Sequence, residues 1–85
     1  MVYDYSKLNG KIIEKFGTRE SFAKASGITA KSIYDKLNNK TIWKQPEISK
    51  AMELLSISGE DIELYFFNIA TLFRTQYSLF EIFEV

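Results

Sequence analysis

Thr18 to Leu37, TRESFAKASGITAKSIYDKL, is the stretch whose pattern decides the fold: it predicts two short helices joined by a tight turn at Gly27. Phe22 and Ala23 fall in the first helix, Gly27 and Ile28 in the turn, and Ile33 and Leu37 in the second helix. A small side chain at Ala23 lets the helices approach closely, and Gly27 supplies the positive φ that a sharp helix exit requires. Thr29 is placed to cap the second helix, whose front is left polar. This is the layout of a helix-turn-helix.

Around that stretch there is room for little more than one small domain. At 85 residues the core is near the size that just suffices without staples. The chain has no Cys and no His, which excludes disulfides, Cys/His zinc sites, thiol chemistry and His-based acid/base catalysis. A reducing compartment, the cytoplasm, is the expected location. The opening MVYDYSKLNGK lacks the apolar core of a signal peptide. The most apolar stretch, Ile62 to Val85, carries Glu63, Arg74, Gln76, Glu81 and Glu84, which argues against a membrane span.

The formal net charge of zero hides an uneven distribution. Residues 1–58 hold ten Lys/Arg and six Asp/Glu, whereas residues 59–85 hold one Arg and five acids, so the two parts carry +4 and −4. A basic front and an acidic rear suit a protein that presents one side to a polyanion. Solvation of a Lys-rich surface is the plainer alternative.

The first helix is predicted from Ser6 to Phe16, with Leu8, Ile12, Ile13 and Phe16 as its inward stripe and Lys7, Lys11 and Lys15 on another face. Gly17 ends it, and Thr18 caps the second helix, where Glu20 meets the positive end of the helix dipole. Phe22, Ala23 and Ala25 are expected to point inward. For the third helix, Ala30 to Leu37, a step of about 100° per residue with Ile33 inward puts Leu37 near 40° and Tyr34 near 100°. Lys31, Asp35 and Asn38 then fall between about 140° and 200°. The outward face combines a cation, a carboxylate, an amide and a phenol, all able to hydrogen-bond base edges or phosphates.

Asn38, Asn39 and Lys40 form a turn-rich loop, and a fourth helix follows with Pro46 at its first position and Ile48, Ala51, Met52 and Leu55 as its stripe. Trp43 reads first as a packing anchor for the loop and second as an indole N–H donor to a phosphate. Ser58 opens SGED, a capping-box pattern with Asp61 in the usual Glu/Gln place, ahead of a fifth helix over about 59–67 with Ile62, Tyr65 and Phe66 as contacts. The domain is assigned to residues 1–67 and an apolar tail to 68–85, NIATLFRTQYSLFEIFEV. Residues 69–85 fit a helix or a dimer-forming strand. Phe66, Leu72, Phe73, Tyr77, Phe80 and Phe83 are read as a dimer interface in preference to completing the monomer core. No internal repeat, low-complexity segment or Gly/Ser linker is visible.

The chain resembles the Cro/repressor-like helix-turn-helix proteins of phages, and more narrowly the short Cro-like regulators of phages and prophages of Gram-positive bacteria. The matching text is YDYSKLNGKIIEKFGTRESFAKASGIT followed by SIYDKLNNKTIWKQPEISKAMELLSISGEDIELYFF, covering about Tyr3 to Phe67. The resemblance implies an all-α, five-helix lambda-repressor-like domain that binds a double-stranded DNA operator as a homodimer in the bacterial host cell. By position in the motif, Thr29, Ala30, Lys31, Tyr34 and Asp35 match the base-contacting sites of the recognition helix. Thr18, Arg19, Asn38, Asn39, Lys40 and Lys44 fall at backbone-contacting positions. Ser26 departs from the pattern, standing where an apolar residue precedes the turn glycine, and nothing beyond Asn68 matches.

Two functions follow as expectations. The first is a sequence-specific transcriptional regulator with its third helix in the major groove. The second is a protein-binding module on the same scaffold, an anti-repressor or an inhibitor of a host protein, that uses the apolar tail. An enzyme is the weakest reading, because the chain has no phosphate-cradling Gly-rich loop, nucleophile constellation or metal cluster. No cofactor, metal, membrane or small-molecule ligand is expected.

Overall fold

The computed structural model describes residues 2–69. Within them the chain forms α1 (Ser6–Phe16), α2 (Arg19–Ser26), α3 (Ala30–Leu37), α4 (Gln45–Leu55) and α5 (Ile62–Phe66), with a single 3-10 turn at Gly59–Asp61. The described part is all-α. An isolated antiparallel bridge joins Tyr3 to Ile69, and no strand forms among the described residues.

Local chemistry sets most of these boundaries. Gly17, at φ 83°, ends α1, and Gly27, at φ 78° in the left-handed region, ends α2. The N-terminal caps of α2 and α3 are both threonines. The Thr18 hydroxyl accepts from the Ser21 backbone N–H at 3.0 Å, and Thr29 accepts from Ser32 at 3.2 Å. Each satisfies an otherwise unpaired helix donor, an arrangement worth about 1 kcal/mol. The hydroxyl of Ser26 donates to the Ala23 carbonyl at 3.0 Å, so a polar residue sits before the turn glycine with its hydrogen bond made. Helix α4 begins one residue before Pro46, and it ends at Ser56, a non-glycine residue at φ 57°.

The core draws on every helix. Leu8 and Ile12 come from α1, Phe22 and Ala23 from α2, Ile33 from α3, Ala51 and Leu55 from α4 and Phe66 from α5, with Tyr5, Trp43 and Ile57 closing it. Trp43 packs edge-on against Phe66 with ring centroids 5.3 Å apart, the packing role expected of it. Four expectations are corrected. Ile13 and Ala25 are exposed, because at their angles on α1 and α2 the inward stripe is already filled by Leu8, Ile12, Phe22 and Ala23. The fifth helix is shorter than 59–67, since Gly59–Asp61 winds as a 3-10 turn. Phe66, assigned to a dimer interface, is 2% exposed beneath Trp43 and belongs to the monomer core. Leu72, Phe73, Tyr77, Phe80 and Phe83 lie outside the described residues.

Lys36 is the residue whose position the pattern did not flag. It is 5% exposed, and its Nζ lies 3.3 Å from Glu47 Oε1 and donates to the Ile42 carbonyl at 3.2 Å. Glu47 also accepts from the Lys44 backbone N–H at 2.8 Å, so one carboxylate holds both the buried ammonium and the start of α4. The last turn of α3, the loop after it and the first turn of α4 are thereby locked together. Lys36→Ala should destabilise the fold by about 2–3 kcal/mol in urea unfolding. That is somewhat under the ~3–5 kcal/mol of a fully buried pair, because Glu47 keeps some contact with water. Lys36→Met, which keeps the packing stem, should cost less than Lys36→Ala.

Candidate functional site

The outward surface of α3 follows from its inward one. With Ile33 in the core and Leu37 packed against it, Lys31, Tyr34 and Asp35 turn away, and Ala30 stands exposed at the helix start. Lys31 Nζ lies 3.2 Å from Asp35 Oδ2 one turn on. Such an i, i+4 pair at the surface contributes a few tenths of a kcal/mol. Its larger effect is to cancel the helix's outward charge. Tyr34 is 51% exposed, and the Lys40 ammonium lies 5.8 Å from the centre of its ring, a cation–π contact that holds the phenol from one side.

The flanking polar residues are tied into the fold to different degrees. Arg19 Nη1 donates to Asn9 Oδ1 at 3.2 Å, and the Thr18 hydroxyl serves as the α2 cap. Asn38 Nδ2 donates to the Tyr34 carbonyl at 2.8 Å. Asn39 is a latch. Its Oδ1 accepts from the Tyr3 N–H and its Nδ2 donates to the Tyr3 carbonyl, both at 2.9 Å, so its amide fastens the N-terminal segment to the loop after α3. Lys44 is exposed at the N-terminal cap of α4.

The structure brings three of the sequence candidates into one cleft. Arg19, Tyr34 and Asn38 line it together with Asp4, Ser6 and Asn9, enclosing about 370 Å³. Asp4 and Asn9 lie outside the residues that the sequence pattern marks as contact sites. Asp4 accepts from the Ser6 N–H at 2.9 Å, and that bond, then the Ser6 hydroxyl and the nearby Lys7, hold its carboxyl below the usual carboxylate range. The D-x-S spacing was the available signal for that turn. Ile42, 78% exposed in the loop after α3, is a further surface residue, and its place directly before the buried Trp43 gave no sign of that exposure. Among the described residues no group of three or more acidic side chains is arranged to hold a metal ion. No helix there is long and apolar enough to cross a membrane.

Comparison with known proteins places this geometry among phage proteins. A family model described as "Protein of unknown function (DUF739)" matches residues 1–69. A solved structure, the solution structure of the modulator of repression (MOR) of the temperate bacteriophage TP901-1 from Lactococcus lactis, is similar with a TM-score of 0.69. The two share 50% sequence identity over 80% of this chain and 92% of that one. No curated protein matches. The chain therefore has a phage regulatory protein as a relative.

The Asn39 latch gives this surface a direct test. Asn39→Ala removes two hydrogen bonds and puts a Cβ-bearing residue without a local amide at φ 64°, and it should cost about 1–3 kcal/mol. Amide exchange at Tyr3 should accelerate, while exchange within α2 should stay at the wild-type rate once global stability is matched.

Proposed function

The chain belongs to the DUF739 family, and from that premise we propose that it regulates phage repression: a binding protein on a Cro/repressor-like helix-turn-helix scaffold whose outward α3 surface docks onto the repressor protein of the same circuit. One observation carries the reading. On that surface the cation Lys31 is paired with Asp35, and the largest exposed group beside them is the phenol of Tyr34. Protein–DNA interfaces are much more positively charged than this. Tyrosines, by contrast, are enriched at protein interfaces and among the residues that dominate their binding energy. Among residues 2–69 the basic excess of the first part is almost cancelled by Glu60, Asp61 and Glu63, leaving +1. The relative's description as a modulator of repression supports an action on repression. The reading places docking on α3 instead of the C-terminal tail, and it is of a binding protein without catalysis.

Duplex DNA is the second reading, favoured by the gathering of Arg19, Tyr34 and Asn38 in one cleft beside α3. In it Thr29, Ala30, Lys31, Tyr34 and Asp35 face the bases of an operator bound by a homodimer, and Arg19, Lys40 and Lys44 face phosphates. Titration calorimetry of the full chain against the purified repressor of its own phage, and against the intergenic operator duplex, separates the two. Repressor binding is expected, weakened about thirtyfold by Tyr34→Ala if that ring is a hot spot worth about 2 kcal/mol. Exchange of the pair, Lys31→Asp with Asp35→Lys, should also weaken binding. Absence of repressor binding, together with selective, steeply salt-dependent binding to the operator, would overturn the proposal in favour of DNA.

A further inference from the structure

The short segment ahead of α1 is fastened to two distant parts of the chain at once. Tyr3 is held through both of its main-chain groups by the Asn39 amide, the N–H donating and the carbonyl accepting, each at 2.9 Å. The next N–H goes to a different partner: Asp4 donates to the Asn68 carbonyl at 2.6 Å. Tyr3 is also bridged to Ile69, and its ring meets that of Phe67 edge-on with centroids 6.2 Å apart. The segment therefore ties the loop after α3 to the chain just past α5.

The same segment is a wall of the cleft beside α3. Tyr3, Asp4 and Tyr5 line that cleft together with Arg19 and Tyr34, whereas Asn39 does not line it. The helices that supply the rest of the lining are fixed by the core through Leu8, Ile12, Phe22 and Ile33. Of residues 2–5 only Tyr5 is buried, so the place of this wall depends on hydrogen bonds whose loss leaves the core intact. The cleft thus has a docked and a released state. Anything that binds it in the docked state favours docking, and release of the wall weakens that binding by linkage.

We propose that residues 2–5 form a coupling strap: anchored on Asn39 and Asn68 it completes the cleft beside α3, and its release opens the cleft and weakens what docks there. That last step rests on the reading of α3 as the docking surface. Asn39→Gly removes both hydrogen bonds to Tyr3 and keeps the φ of 64°, which glycine adopts without strain. In the free full chain, at matched global stability, amide exchange is expected to accelerate at Tyr3 and Asp4 alike, although the Asn68 acceptor of Asp4 is untouched. The side-chain NMR signals of Asn9 and Arg19, across the cleft, should shift with them. Acceleration at Tyr3 alone, with Asp4, Asn9 and Arg19 as in the wild type, would overturn the strap. Titrated with the purified repressor of its own phage, the variant should bind at least about fivefold more weakly than the wild type, the low end of ordinary coupling between linked sites. Saturating repressor should also slow exchange at Tyr3 and Asp4 in the wild type. Unchanged affinity in a variant whose strap is released would overturn the coupling. A wild-type chain that binds no repressor refutes the docking surface instead, and the free-chain signals then decide the strap by themselves.

Discussion

The buried ammonium of Lys36 is the constraint on which the placement of α3 depends. A lysine held away from water is tolerable only with its charge answered, and here Glu47 and the Ile42 carbonyl answer it. Measured against an apolar replacement, a buried ion pair contributes little net stability, because desolvation offsets most of the attraction. What the pair does provide is orientation. It fixes the last turn of α3 to the loop after it and to the first turn of α4, and Asn39 continues that fixation to Tyr3. With its inner side held at three points, α3 presents Lys31, Tyr34 and Asp35 in one defined arrangement.

That arrangement carries the functional argument. A recognition helix for DNA works through cations left free to meet phosphates and base edges. On this helix the outward cation already has a carboxylate, and the second nearby ammonium, Lys40, lies against the ring of Tyr34. In the proposed reading, a surface on which Lys31 is paired with Asp35 beside the half-exposed Tyr34 ring meets another protein's surface. Family membership and the relationship to a phage modulator of repression point to regulation of repression and are compatible with either kind of partner.

Sequence made the frame legible where the determinants are local. Gly17, Thr18, Gly27 and Thr29 each impose a backbone angle or a cap within three residues, and the end of α1, both ends of α2 and the start of α3 follow from them. Apolar spacing identified most of the core. What stayed hidden depends on partners distant in the chain. Lys36 falls near −60° from Ile33 by the ~100° step, on the inward side, yet a lysine in a basic segment reads as solvated until Glu47 is seen opposite it. Asn39 looked like a group free for phosphate, and its partner Tyr3 lies 36 positions away. Phe66 looked available for an interface because nothing local says that Trp43 covers it. The charge asymmetry was real as a count, but a count does not register that Lys31 and Lys36 each meet a carboxylate.

Chemical-shift perturbation on the ¹⁵N-labelled full chain, titrated with the purified repressor of its own phage, tests the role of the α3 surface most directly. The largest changes are predicted at Lys31, Tyr34 and Asp35, extending to Arg19, with the amides in the middle of α4 unmoved. Changes confined to α4 and α5, or the same α3 changes produced by operator duplex while the repressor produces none, would contradict it.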